Sequence, residues 1–369
     1  MQLQDISGNK IIDYDGGLWY YLNDKKFFRT RWQVYDHGKN LGLSTIQIEN
    51  QIKACINKNL AFDTFDWTVE PKQSWNDMVL EKLKEFRDKY SHLSILFSGG
   101  QDSTYILNMC LKYNIKVDEI ITYRSALPGF DNDYNNSEVN GIAIPYLKRL
   151  DTDPIGNPTI TIPQITDWRL VEQFFDEKYT YEVTNNIVDK TPMNMVNNMI
   201  GLRPGNSVML RGSTEPMIYY DKKLDKFYAE IYDTDNFVDG HQTDVKTPFF
   251  TNPEFPEMHA KQCHVVKNWL RERNSFINAI DNFEQYKFIY NHLVRGGLDS
   301  MLNIGAKFFT KHTGHDIFRT KKALHFAKQL KKLKPELFEK YMRAARISLK
   351  GIPLNKFPQG VSFGKFYLE

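Results

Sequence analysis

Hydrophobic and polar positions along the chain follow two rhythms in turn. Near the start, Leu18 to Leu22 and Lys26 to Thr30 read as strands flanking Asn23-Asp24-Lys25, which predicts a hairpin turn. Residues 45 to 61 read as a short helix, with Ile46, Ile48, Ile52, Cys55 and Ile56 roughly along one face. Asp66 to Pro71 reads as a linker. From Trp75 to Tyr90, Met78, Val79, Leu83 and Phe86 recur at helical spacing.

The middle of the chain alternates short apolar runs with amphipathic stretches. Leu93 to Phe97, Glu119 to Tyr123, Thr159 to Ile162 and Ser207 to Leu210 read as strands. Helices are expected from near Ser103 to Tyr113 and from Asp133 to Leu150. Strands alternating with helices of this length predict an α/β protein with a doubly wound parallel sheet. Beyond about residue 250 the pattern turns helical. Three regions follow: a β-containing N-terminal segment at 1–66, a sheet domain at 67–250 and a helical region at 251–369.

Composition narrows the chemistry. Of 369 residues, 41% are hydrophobic and only three are cysteines, which excludes a disulfide scaffold and a four-cysteine zinc ribbon. No secretory signal is visible, and no stretch approaches the roughly 18 apolar residues that cross a bilayer, so a cytoplasmic protein without a membrane partner is expected. The net charge of +3 hides an asymmetry. Residues 307 to 350 carry thirteen Lys/Arg against three acids, an excess of ten positive charges that leaves the rest at −7. Lys321, Lys322, Lys328, Lys331, Lys332 and Lys334 read either as a solvated helix face or as a contact for nucleic acid, with Phe308, Phe309 and Phe318 available for stacking.

The most informative stretch is Ser98-Gly99-Gly100-Gln101-Asp102-Ser103, between a predicted strand and a predicted helix. Two adjacent glycines let the backbone turn sharply and bring N–H groups close to an anion. The helix that follows aims its positive end at the same spot. Ser98 and Ser103 add hydroxyl donors, and Asp102 is placed to hold a Mg²⁺ that shields phosphates. Walker and Rossmann loops need other spacings. A second run, Gly296-Gly297-Leu298-Asp299-Ser300, has Arg295 in place of the first serine and follows a helical stretch, so Gly296 reads as a helix end.

Ser98 to Ser103 resembles the SGGxDS signature of the PP-loop ATP-pyrophosphatase superfamily and matches it at every fixed position. The resemblance implies that Ser98, Gly99, Gly100, Gln101, Asp102 and Ser103 bind ATP with Mg²⁺, and that Tyr123, in Thr122-Tyr123-Arg124, lies by the adenine. A more extended likeness, over about residues 67 to 230, is to the synthetase domain of asparagine synthetase and β-lactam synthetase. It rests on the helix before the loop, the helix Asn135 to Leu150 and the run Val208-Met209-Leu210-Arg211-Gly212-Ser213-Thr214-Glu215. Where that family has two glycines and an Asp-Glu pair, this chain keeps Gly212 and Glu215, the latter a candidate second Mg²⁺ contact or a solvated loop acid.

The resemblance implies an AMP-forming ligase. It adenylates a carboxylate or carbonyl oxygen, passes it to a nitrogen nucleophile and releases pyrophosphate, with Asp102, Ser103 and Glu215 serving catalysis. Gln2 stands where glutamine-using members carry a cysteine, so ammonia or an amine is expected from outside, a partner glutaminase being one source. The alternatives are a tRNA- or DNA-base-modifying PP-loop enzyme and a non-catalytic ATP- or AMP-binding regulatory module. Weaker candidates are His259 with Cys263 as metal ligands, His312 and His315 as anion contacts, and Lys307 or Lys311 at the transferring phosphate.

Overall fold

The structure, a computed structural model, describes residues 18–28, 31–56, 58–131, 136, 138–172, 205–212, 217–232, 239–240, 245–252, 254–273, 289–290, 292–295, 326–349 and 361–369. In chain order the strands are β1 (Leu18–Tyr21), β2 (Phe27–Phe28), β3 (Lys53–Ile56), β4 (His92–Leu96), β5 (Glu119–Ile121), β6 (Arg124–Ser125) and β7 (Thr159–Thr161). They continue as β8 (Gln164–Ile165), β9 (Ser207–Arg211), β10 (Met217–Asp221), β11 (Lys226–Tyr232), β12 (Asp239–Gly240), β13 (Val245–Pro248) and β14 (Ser362–Tyr367). The α-helices are α1 (Arg31–Asn40), α2 (Thr45–Gln51), α3 (Ala61–Thr64), α4 (Trp75–Lys89), α5 (Gln101–Tyr113), α6 (Ile144–Leu147), α7 (Trp168–Glu172), α8 (Pro256–Glu272) and α9 (Pro335–Leu349).

Five strands pair in parallel in the order β13-β9-β4-β5-β7, and β12 adds an antiparallel edge. Because side chains alternate along a strand, the two faces can be read directly. Leu93, Ile95, Ile120, Val208 and Leu210 face a core shared with Val79, Leu83 and Phe86 of α4, Ile106 and Cys110 of α5, and Met258 and Val266 of α8. Leu96, Ile121 and Met209 face a smaller core with Leu127, Phe130, Val171, Phe326, Leu330, Leu337 and Tyr341. Helices therefore flank both faces, as parallel strands require, and the arrangement is compatible with a doubly wound fold. The second core is closed by α9 and by the helical residues 326–333 of the basic region.

The strand predictions in this region hold to within a residue or two. So does the hairpin near the start, where β1 pairs antiparallel with β2 across Tyr20↔Phe28 and Tyr21↔Phe27. The helix expected over 45–61 is corrected. It begins with a capping box between Ser44 and Gln47 but ends at Gln51, and Lys53–Ile56 instead pairs with β1. Ile52, Cys55 and Ile56 mimic helical spacing, yet the open edge of β1 offers backbone partners that a helix there would leave unpaired.

The helical reading of 251–369 is likewise corrected at its end. β14 pairs with β11, which pairs with β10, as a separate antiparallel sheet. Phe363 and Phe366 of β14 then meet Phe62 of α3, and the Trp67 ring stacks on Phe366 at 4.6 Å. One apolar core thus draws side chains from all three regions marked in the sequence, from Tyr20 to Leu368. Among the described residues, no helix is long and apolar enough to cross a membrane.

Candidate functional site

The site is built where the chain reverses its direction across the sheet. From β4 the chain moves outward to β5 and β7, then returns to the other side of β4 as β9 and β13. The crevice beyond the carboxyl ends of β4 and β9 is the switch point at which open α/β sheets bind ligands. Ser98 to Ser103 leaves β4 at this point. The strand is held in register by Asp118, which accepts from the Leu93 N–H at 2.8 Å and pairs with Arg87 of α4.

Within the loop, Gly99 sits at φ 73°, a left-handed conformation costly for other residues. A Cβ there would also press on Ile142 and Ala143 of the π-helical turn Val139–Ala143. Ser98 Oγ accepts from the Gly100 N–H at 3.1 Å, and Ser103 Oγ donates to the Gly100 carbonyl at 3.1 Å. The two hydroxyl oxygens lie 3.4 Å apart, so both serines brace the turn. Gly100 is the extended N-cap of α5 and contributes no side-chain cap hydrogen bond, so the start of the helix faces the crevice without a capping side chain.

Gly212 closes the site from the other strand. It follows β9, and a Cβ on it would lie 2.6 Å from the Ser103 nitrogen and 2.8 Å from the Asp102 carbonyl carbon. Only glycine lets this backbone come so close to the first turn of α5. At the end of β5, Thr122 is fully buried and Tyr123 packs against the second core. Asn136 holds the next stretch by bonding both the Ser125 N–H and the Ser125 carbonyl, each at 2.8 Å.

Arg295 reaches the same place from late in the chain. Its Nε donates to Asp102 Oδ1 at 2.7 Å, and its Nη2 donates to Gln262 Oε1 at 3.1 Å. The side chain is 1% exposed, against 23% for Asp102. Its guanidinium lies 3.6 Å from the Phe250 ring centre and 4.9 Å from that of Tyr290, with Trp75 and Tyr105 farther out. Burial works against its charge, but Tyr290 and Asp102 hold its pKa above the ordinary arginine value. Gln262 is fixed in turn, donating to the Phe250 and Met258 carbonyls and accepting from the Tyr290 hydroxyl. The carbonyl of Val294, which precedes Arg295 in sequence, accepts from the Trp75 indole at 2.7 Å.

Of the residues singled out in the sequence, Ser98, Gly99, Gly100, Asp102, Ser103 and Gly212 come together. Gln101 is buried in the first turn of α5. Glu215, Lys307, Lys311, His312 and His315 lie outside the described residues, as do Lys321, Lys322, Phe308, Phe309, Phe318 and the run Gly296 to Ser300. Arg295 was visible only as the residue that spoils a second glycine loop, and its buried ion pair had no local signature.

His259 and Cys263 share α8, and both are buried. No group of three or more His, Cys, Asp or Glu able to hold a metal occurs among the described residues. The His259 ring is buried against Trp67 and Phe62, and burial, aided by the Arg295 charge, holds its pKa down at about 3. Burial also pushes the Cys55 and Cys110 thiols up to about 12, and that of Cys263 well above its usual range. Lys328, Lys331, Lys332 and Lys334 are exposed.

The residues present suit a phosphate chain better than a bare metal ion. The loop and the close approach of Gly212 bring backbone together at the start of α5, whereas Asp102 is the one acid that the described loop supplies and it is shared with Arg295. A Mg²⁺ would come with the phosphates and meet Asp102. Compared with models of protein families, with curated protein sequences and with solved structures, the chain finds no match.

Proposed function

We propose that the chain is an ATP-dependent, AMP-forming ligase of the PP-loop type, with the sheet of the adenine nucleotide α-hydrolase-like class. The observation that carries this reading is the placement of Ser98–Ser103 at the switch point, with Gly212 pressed against the first turn of α5. In this reading the Gly99 and Gly100 backbone and the start of α5 hold the β- and γ-phosphates. Asp102 meets their Mg²⁺, and the α-phosphate is left open to an acceptor carboxylate or carbonyl oxygen. Attack there forms the acceptor–AMP bond and breaks the bond to pyrophosphate. A nitrogen nucleophile then displaces AMP. Little acid–base chemistry is asked of the protein, because positioning and charge neutralisation lower the barrier. The buried, protonated thiols favour a nitrogen donor over sulfur transfer.

The test is the nucleotide product formed with ATP, Mg²⁺ and candidate acceptors. AMP with pyrophosphate supports the ligase, and ADP sinks it. Replacing Asp102 by Asn is expected to lower AMP formation by about two orders of magnitude or more; unchanged turnover would remove the loop from the chemistry. A second reading, a module that holds ATP or AMP without turnover, is favoured by the run after β9, which keeps only Gly212 and Glu215 where the resembled family has two glycines and an Asp-Glu pair. Tight ATP binding with no product under any acceptor would select it.

A further inference from the structure

Arg295 is a charged side chain, buried at the phosphate loop, whose presence the loop signature does not explain. A guanidinium taken out of water at 1% exposure is costly unless it is paired and bonded. Here it has Asp102 at one end and Gln262 at the other, and aromatic faces on its flanks. Its Nη1 is buried with no hydrogen-bond partner among the described residues. Gln262 is itself anchored by two backbone carbonyls and the Tyr290 hydroxyl, and the preceding residue, Val294, has its carbonyl bonded by the Trp75 indole. Such a guanidinium cannot swing away as a latch would. Asp102, by contrast, keeps 23% of its side chain exposed at the first turn of α5.

We propose that Arg295 is a positioning residue of the phosphate loop. Its fixed guanidinium locks the Asp102 carboxylate in one orientation, so that the exposed part of that carboxylate meets an incoming magnesium–nucleotide complex without first being ordered. This rests on the ATP-binding reading above. The side-chain ordering that binding would otherwise cost is removed beforehand by a residue 193 positions away.

The experiment measures the dissociation constant of ATP with Mg²⁺ and with EDTA, and takes the ratio as the gain from metal. The proteins are wild type, Arg295→Lys, Arg295→Met, Asp102→Asn and the double variant Asp102→Asn/Arg295→Met. Arg295→Met is expected to cut the gain about tenfold while changing the metal-free constant less than about twofold. Arg295→Lys, which can still reach one carboxylate oxygen, is expected to restore most of it. On the Asp102→Asn background, Arg295→Met is expected to change nothing further. A purely structural role would weaken binding equally with and without metal, and that result overturns the proposal. So does a wild-type gain in Arg295→Met, or an additional loss in the double variant.

Should Arg295→Met not fold, the double variant carries the test alone, since it leaves no unpaired buried charge. Equality with Asp102→Asn then supports the proposal. A wild-type protein that binds ATP under neither condition refutes the ATP reading itself and takes this inference with it. Wild-type binding with an unaffected Arg295→Met refutes only the role of Arg295.

Discussion

Gly212 shows how a residue without a side chain can shape a site. The space that a methyl group would need is taken by the backbone of Asp102 and Ser103, which has no rotamer to yield. Gly212→Ala should therefore push β9 away from α5, at a cost of about 1–3 kcal/mol, and weaken ATP binding together with stability. Urea unfolding and ATP titration check this; a variant as stable as the parent would show that the two segments lie farther apart. At this scale the six-residue loop was legible because its chemistry is local: two glycines, two hydroxyls and an acid in consecutive positions. Arg295 was not. A long-range ion pair is specified by a fold that brings residues 102 and 295 together, and neither neighbourhood alone carries the signal.

Among the elements, β14 is the clearest case of context outweighing pattern. Its residues complete the antiparallel sheet through β11 and bury Phe363, Phe366 and, just beyond the strand, Leu368. Glu369 then accepts from the Phe227 N–H at 2.9 Å and pairs with Arg271 of α8. Burying each of the three apolar side chains contributes about 1.5–3 kcal/mol, which together rivals the roughly 5–15 kcal/mol stability of a whole domain. A chain ended after Gly360 should lose its cooperative thermal transition, or melt at a much lower temperature by circular dichroism. An unchanged midpoint would mean that the strand is ornamental. The central strands were readable because burial on both faces makes them continuous apolar runs. β3 and β14 were not, because each owes its state to an open strand edge supplied by a distant segment, β1 in one case and β11 in the other.

For the molecule as a whole, the shared core has a consequence for acid stability. His259 is neutral within that core, with its pKa held near 3, while in the unfolded chain a histidine takes up its proton near pH 6.5. The stabilisation is present above pH 6.5 and is lost as the pH falls toward 3, by about 1.4 kcal/mol per pH unit. Burial lowers the His264 pKa too, in the same sense. The unfolding free energy should drop by about 2 kcal/mol or more between pH 7 and pH 5. His259→Leu should flatten that drop, and an identical slope in the variant would show that His259 does not drive it. The pair between Asp102 and Arg295 also sets an order of events. At about 5–20 residues per second, a ribosome makes the loop roughly ten to forty seconds before it makes the arginine 193 positions later. Until then the loop's acid waits without its cation. Completion of the proposed phosphate site is thereby tied to synthesis of a segment 193 positions downstream, a checkpoint that a site drawn from one contiguous segment would not have.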